Sequence, residues 1–194
     1  MRKLIVCNIV SLDGYYEGPG KDVMALPFDE AFDDYNAERL RAADTLLLGR
    51  RSFDGFKGYW PPVADDPDVR PVEREISRLN MAIPKVVISD SLTADETAPW
   101  TNTEIVKRAE AHDRIADLKR QSGREILVFG SHTVWNDLLV AGLVDELHLM
   151  IGPALLGAGT PIFEGGSQVG LGLLESRRLD GSQLVLVRYG TSAV

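Results

Sequence analysis

The sequence predicts an α/β domain in which a mixed, mainly parallel central sheet is flanked by helices and ends in an antiparallel hairpin. Short apolar strands alternate with amphipathic helical segments, most clearly at 125–141, where a strand, a glycine turn and a helix follow one another. Asp180-Gly181 separates two apolar runs near the C-terminus, which indicates a tight hairpin turn. No internal repeat divides the chain, so we expect one domain over 1–194.

The elements are predicted in order along the chain. A buried strand at 4–10 leads into the loop that begins at Ser11-Leu12-Asp13-Gly14, and apolar spacing then predicts a helix from Phe28 to about Ala43. The proline-rich and aspartate-rich stretch from Tyr59 to Arg70 predicts a long exposed loop. The remaining predicted elements are strands at 45–48, 85–89, 104–107, 125–129 and 145–151, helices at 72–81, 111–122 and 133–141, and hairpin strands at 173–178 and 183–189.

The charge of the chain argues against nucleic-acid and membrane partners. Lys and Arg total 21 against 29 Asp and Glu, giving a net charge of −8, which opposes the attraction that nucleic acids and anionic membranes need. A phosphate ligand therefore requires a local basic cluster. Because no run of ~18 apolar residues and no obvious signal-peptidase site occur, we expect a cytoplasmic protein.

Thiol and metal chemistry are not expected. Cys7 is the single cysteine and lies in an apolar run, which is typical of a buried structural thiol. His112 and His148 stand apart from any metal-ligand spacing, so we expect no metal site.

A glycine turn between a buried strand and a helix is the first candidate binding site. Gly130 and Ser131 follow the strand at 125–129, and the free N–H groups at the start of the next helix favour a phosphate. The alternative is a tight turn in which Ser131 or Thr133 caps the helix. The stretch is not GxGxxG, so the sequence lacks the Rossmann fingerprint.

A second candidate is Gly49-Arg50-Arg51-Ser52, where two guanidinium groups stand beside a hydroxyl at a strand end. Such a cluster can bind a phosphate monoester, for example the 2′-phosphate of NADPH, through charge-assisted hydrogen bonds. The alternative is a pair of solvated surface arginines. The two motifs together strengthen the nucleotide interpretation.

Five blocks occur in order along the chain: Ser11-Leu12-Asp13-Gly14, residues 47–56, residues 127–131, residues 142–147 and residues 153–159. Their order resembles the dihydrofolate reductase-like proteins, and most closely the reductase domain of bacterial riboflavin biosynthesis and its stand-alone relatives. The resemblance covers nearly the whole chain and implies a three-layer fold with an eight-stranded sheet and NADPH across the carboxyl ends of the parallel strands.

The resemblance also implies site residues. Gly49, Arg50, Arg51 and Ser52 are expected to hold the adenosine-side phosphates with help from Ser89, while Gly130, Ser131, His132, Thr133 and Val134 cradle the pyrophosphate. The Gly130-Ser131 bond matches a position that has an unusual cis peptide in this superfamily.

On the substrate side, the segment Leu26-Pro27-Phe28-Asp29 resembles the first helix of dihydrofolate reductases and makes Asp29 the candidate catalytic acid, with Asp33 in reserve. The alternative is a solvated acid at a helix start. Met150 stands where folate-specific enzymes have a threonine, which argues against folate itself.

The implied activity is an NADPH-dependent reductase that passes hydride to a pteridine or ribosylamino-pyrimidine ring, in the manner of a 5-amino-6-(5-phosphoribosylamino)uracil reductase. The second hypothesis is a nucleotide-binding module of the same fold without turnover. A homodimer is expected, because the hairpin run Leu184 to Val187 offers apolar surface and open strand edges.

Overall fold

The computed structural model describes residues 1–165 and 168–191 and is built around an eight-stranded sheet. The sheet strands are β1 (Leu4–Ser11), β3 (Ala43–Gly49), β4 (Lys85–Ile88), β5 (Thr103–Val106), β6 (Glu125–Phe129), β7 (Glu146–Gly152), β9 (Gly172–Arg178) and β10 (Val185–Gly190). A separate small sheet pairs β2 (Tyr15–Glu17) with β8 (Thr160–Pro161). The helices are α1 (Glu30–Ala42), α2 (Arg50–Val63), α3 (Pro71–Ala82), α4 (Ala111–Arg120) and α5 (His132–Val140).

The strand order confirms the predicted class. The sheet has the order β5-β4-β3-β6-β1-β7-β10-β9. All pairs from β5 to β7 are parallel, and β10 pairs antiparallel with both β7 and β9. The strand order places the carboxyl ends of β3, β6 and β1 side by side, at the edge where open α/β sheets bind ligands.

Helices cover both faces of the sheet because β1, like the other central strands, is apolar on both sides. Ile5, Cys7 and Ile9 pack in one core with α1, α2 and α3, whereas Leu4 and Val6 pack in a second core with α4 and α5. This alternation follows from the two-residue period of a strand. The result is a three-layer arrangement of helices, sheet and helices.

The predicted loop at 59–70 is wrong in its first half. Helix α2 continues to Val63 and carries Pro61 and Pro62 in its last turn. Prolines normally end a helix, but Phe53 is fully buried and Trp60 packs against the same core, so apolar burial at helical spacing outweighs the two prolines. The Trp60 carbonyl also accepts a hydrogen bond from the Ser77 hydroxyl of α3, 2.6 Å away. The other predicted elements agree with the structure to within two or three residues.

No helix among the described residues is long and apolar enough to cross a membrane. The expected homodimer stays a prediction, but the basis given for it is wrong: Leu184 and Leu186 are fully buried, and β10 is paired on both sides, with β7 and β9. Strand β9 forms one edge of the sheet, and the side chains of Leu173 and Leu174 on it are 60% and 54% exposed. An exposed apolar edge strand of this kind can pair with a strand of another chain.

The sequence did not predict the small β2–β8 sheet, which folds the loop after β1 back over the carboxyl edge. The chain around residue 159 approaches the Glu17 backbone so closely that a glycine is required there: φ of Gly159 is +139°, and an added Cβ would lie 2.0 Å from the Glu17 carbonyl oxygen. Gly157 in the same loop also has a positive φ, +70°, but open space around it. A side chain at 157 would therefore meet only the strain of a positive φ, whereas a side chain at 159 would also collide with the Glu17 backbone.

We expect Gly159→Ala to lower the free energy of unfolding by about 2 kcal/mol more than Gly157→Ala, because only the first change forces two backbones apart. For a chain of this size the difference corresponds to ~4–8 °C in Tm. Thermal unfolding followed by circular dichroism checks it. Equal losses for the two variants would show that the β2–β8 approach does not constrain the fold.

Candidate functional site

Two helices begin side by side at the carboxyl edge of the sheet. Helix α2 starts directly after Gly49 at the end of β3, and α5 starts directly after Ser131, two residues beyond the neighbouring strand β6. The Gly49 N–H donates to Ser131 Oγ at 3.0 Å and joins the two ends. First-turn N–H groups lack intrahelical acceptors, and the helix dipole is positive at that end. The edge therefore presents two adjacent sites for negative charge.

The turn at Gly130 and Ser131 differs from the expected geometry. Its peptide bond is not cis: within 1–165 and 168–191 the cis bond is Ala98-Pro99, so the expectation is wrong at this position. The chain reverses instead through two successive left-handed residues, with φ of 56° at Gly130 and 54° at Ser131. Glycine adopts this conformation readily and serine seldom does. Hydrogen bonds to other strands and helices keep the turn in place.

Those bonds determine which amides are free for a ligand. Gly130 N–H donates to Asn8 Oδ1 at 2.9 Å, and Ser131 N–H donates to Ser52 Oγ at 2.8 Å. The next three amides, of residues 132–134, have no acceptor in the part of the chain that the structure describes. A phosphate at this turn would thus be bound by the start of α5, with Gly130 and Ser131 shaping the approach.

Asn8 is a site residue that sequence reasoning missed. It is buried in β1, and besides its bond to Gly130 its Nδ2 atom is a buried donor without an acceptor among the described residues. Buried amide groups are normally satisfied. The signal was visible as one polar residue inside the apolar run Leu4 to Val10. An unsatisfied donor beside the glycine turn favours a ligand there.

Both predicted arginines lie at this edge, but each already has acidic partners. Arg50 Nε bonds Asp54 Oδ2 at 2.6 Å, and its Nη2 bonds Glu96 Oε1 at 2.7 Å. Arg51 Nη1 lies 2.8 Å from Oε2 of the buried Glu17. The two arginines are therefore not the solvated pair of the alternative interpretation, and a phosphate would have to compete with these carboxylates for them.

Ser89 and the remaining predicted residues shape the edge. Ser89 directly follows β4, and its hydroxyl accepts from the N–H groups of Ser91 and Leu92 at 3.2 and 3.0 Å, so it holds the following turn. The buried His132 ring is stacked 4.9 Å from Tyr16, and its Nε2 is 2.8 Å from the Pro161 carbonyl oxygen. The small β2–β8 sheet is in this way attached to the first turn of α5.

A depression of about 690 Å³ opens next to the start of α5, between α4 and α5. Its wall includes Thr133 and Val134 together with Ile88, Arg108 and His112. Local sequence patterns do not group these residues, because they lie in β4, in the 3-10 turn Arg108–Glu110, in α4 and in α5. The depression continues the edge away from the glycine turn and has room for part of an extended ligand.

Asp29, the predicted catalytic acid, caps α1. Its Oδ1 accepts from the Phe32 N–H at 3.1 Å, and its Oδ2 accepts from the Ser182 hydroxyl. An N-cap aspartate of this kind stabilises its helix. Asp29 therefore stands at a helix start, as the alternative supposed, but it is half-buried and both of its oxygens have protein partners, so it is not a solvated acid. A catalytic role for Asp29 stays a prediction.

Asp33 lies one turn further along α1 and is a more reactive carboxyl. Partial burial, and secondarily the charge of Glu73, raise the pKa of Asp33 from 3.8 to about 6, against the opposing effect of Arg70. An acid that titrates near neutrality is suited to proton transfer. Met150, by contrast, is fully buried in the core and presents no polar atom to a ligand.

We expect Asp33→Asn to stabilise the protein above pH 6 and not below pH 4. The folded pKa of Asp33 is raised to about 6, so the folded state loses stability as pH rises from the unfolded pKa through the folded one. Removal of the charge restores about 3 kcal/mol above that range. Urea unfolding at about pH 4 and about pH 7.5 measures the difference. The exposed Asp65→Asn is the control. A difference between Asp33→Asn and wild type that does not change with pH would contradict the shifted pKa.

The opposite edge of the sheet carries a second depression, of about 470 Å³, lined by Arg2, Lys85 and Arg114 among others. Its cations are engaged: Arg114 forms a two-bond pair with Glu104, and the buried Lys85 ammonium lies 4.4 Å from the Trp100 ring. Burial lowers the pKa of Lys85 to about 8. Among the described residues that line this depression, none begins a helix.

Comparisons with known proteins agree with this architecture. The family model of the RibD C-terminal domain matches residues 2–185. The uncharacterized protein YyaP of Bacillus subtilis (strain 168) is 33% identical over 165 residues, which cover 84% of this chain and 80% of that protein.

Two solved structures share the fold. A Shewanella sp. PV-4 protein described as a riboflavin biosynthesis protein superposes with a TM-score of 0.72 at 23% identity, covering 97% of this chain and 98% of that one. Dihydrofolate reductase from Enterococcus faecalis, complexed with NADP(H), gives a TM-score of 0.60 at 14% identity, with 98% and 96% coverage. The expected dihydrofolate reductase-like fold is confirmed.

Proposed function

Because the chain belongs to the RibD C-terminal domain family, we propose that it is an NADPH-dependent reductase of a small heterocyclic substrate. The observation that carries the proposal is the pair of helix N-termini at the carboxyl edge, joined by the bond from Gly49 N–H to Ser131 Oγ. Backbone amides and helix dipoles of this kind bind phosphate without a large positive net charge. This matters in a chain whose net charge is −8.

The residues present fit a dinucleotide. The free amides of His132, Thr133 and Val134 would bind the pyrophosphate, the depression between α4 and α5 would take the adenosine end, and Arg50 and Arg51 would face the 2′-phosphate. When bound, NADPH supplies the hydride. The protein would hold the substrate ring next to the nucleotide, at the same carboxyl edge of the sheet, and exclude water from both.

The substrate side of the proposal rests on α1 and α2. Phe28 and Phe32 form an edge-to-face pair with ring centroids 4.8 Å apart, and Tyr59 and Trp60 form another at 4.9 Å. Such aromatic faces suit a flat ring of the pteridine or ribosylamino-pyrimidine type. Asp33 is the carboxyl on α1 with a pKa of about 6.

Proton transfer is assigned to this carboxyl in preference to Asp29. Both Asp29 oxygens accept hydrogen bonds that hold the start of α1, whereas the Asp33 carboxyl exchanges a proton near neutral pH. In its protonated form Asp33 can donate to a ring nitrogen or oxygen as hydride arrives at the adjacent carbon. Asp29 then positions the helix that carries Asp33.

We expect NADPH to stabilise the protein, since a ligand that binds only the folded state at a hundredfold excess over Kd adds about 2.7 kcal/mol. For this chain length the gain corresponds to ~5–10 °C in Tm. NADH should stabilise it less because it lacks the 2′-phosphate. Oxidation of NADPH is then followed against pterins, aminopyrimidines, quinones and aldehydes.

The outcomes separate the two hypotheses. Turnover of a pterin or aminopyrimidine supports the reductase, and stabilisation by NADPH without turnover of any compound supports a binding module of the same fold. Absence of stabilisation by either nucleotide would contradict both.

A further inference from the structure

The arginines at the start of α2 do not provide free positive charge. Arg50 donates through three of its nitrogens: Nε to Asp54 Oδ2 at 2.6 Å, Nη2 to Glu96 Oε1 at 2.7 Å and Nη1 to Glu96 Oε2 at 3.3 Å. Arg51 is paired with Glu17. The two guanidinium groups thus face three carboxylates, and Lys57, which contacts the Glu96 carbonyl oxygen, brings the local charge to zero.

The Glu96 carboxylate binds both terminal nitrogens of Arg50, in the two-bond geometry that a phosphate would use. A carboxylate on two nitrogens of a guanidinium group forms the same parallel pair of bonds as a phosphate. The side chain of Glu96 is also held from behind, because its Oε2 accepts from the N–H and the hydroxyl of Thr93, both at 2.9 Å. Hydrogen bonds from Arg50 and Thr93 lower the pKa of Glu96 to about 2, so it is ionised at every working pH.

From this geometry we infer that Glu96 competes with the 2′-phosphate of the nucleotide for Arg50 and is the residue that limits the preference for NADPH over NADH. The inference rests on the proposed nucleotide site. NADPH must displace the carboxylate before its 2′-phosphate reaches the guanidinium group, whereas NADH leaves the pair intact. Glu96 therefore lowers the affinity for one nucleotide only.

The test is Glu96→Gln, with nucleotide affinities measured by calorimetric titration of both NADPH and NADH. Glutamine retains a carbonyl oxygen for Thr93 and removes the charge that competes with phosphate. We expect Kd for NADPH to fall about tenfold, as one charge-assisted pair is no longer contested. Kd for NADH should stay within about twofold of the wild-type value.

Two further variants make the test specific. Glu75→Gln is the matched control, because Glu75 forms a similar two-bond pair with Arg41, at 2.6 and 2.7 Å, between α3 and α1; it should change neither affinity. In an Arg50→Gln background, Glu96→Gln should no longer improve NADPH binding, since the contested group is gone. The double-mutant cycle measures this coupling directly.

Failure of the inference is distinguishable from failure of the proposed function. If the wild type binds NADPH but Glu96→Gln changes both affinities equally, or neither, the competition does not exist although the nucleotide site does. A gain that persists without Arg50 would equally overturn it. If neither the wild type nor any variant binds either nucleotide, the proposed function and the inference both fail.

Discussion

The candidate site depends on how the ends of β3 and β6 are joined. Ser131 Oγ accepts from the Gly49 N–H, so the end of β3 is bonded to the turn that follows β6. The Ser131 N–H donates to Ser52 Oγ, so the same turn is also bonded to α2, the helix that follows β3. These bonds hold Gly130 and Ser131 in a left-handed turn and place the first turns of α2 and α5 next to each other. The site for negative charge therefore consists of backbone held by two serine hydroxyls.

Charge explains why backbone has this role. The chain carries eight more acids than bases, and Arg50 and Arg51 are both engaged by carboxylates. A helix start attracts an anion through fixed backbone amides, whereas a paired arginine must exchange one partner for another. We interpret the two arginines as contributors to selectivity and the start of α5 as the origin of phosphate affinity.

Local signals in the sequence predicted the main sheet, most helix and strand bounds, and the turns at Gly49 and Gly130. The periodicity of apolar residues and the presence of turn residues are short-range features, so they can be recognised without knowing the fold. They were insufficient where distant residues decide. The burial of Phe53 and Trp60 keeps α2 helical through Pro61 and Pro62, and the partners of Asn8 and Glu96 lie 122 and 46 residues away along the chain. The cis bond at Gly130-Ser131 was expected from the resemblance alone, and that expectation was wrong.

The central claim is that the first turn of α5 binds the phosphates of the nucleotide, and Thr133→Asp with Thr133→Asn tests it most directly. Thr133 is exposed near the start of the helix, and its hydroxyl lies 3.3 Å from Glu164 Oε1. An aspartate there repels both that carboxylate and an anionic ligand, whereas asparagine matches its shape without its charge. We expect both variants to fold, and Thr133→Asp to weaken NADPH binding at least about tenfold relative to Thr133→Asn. Equal NADPH affinities for the two folded variants would contradict the assignment of this helix start to phosphate.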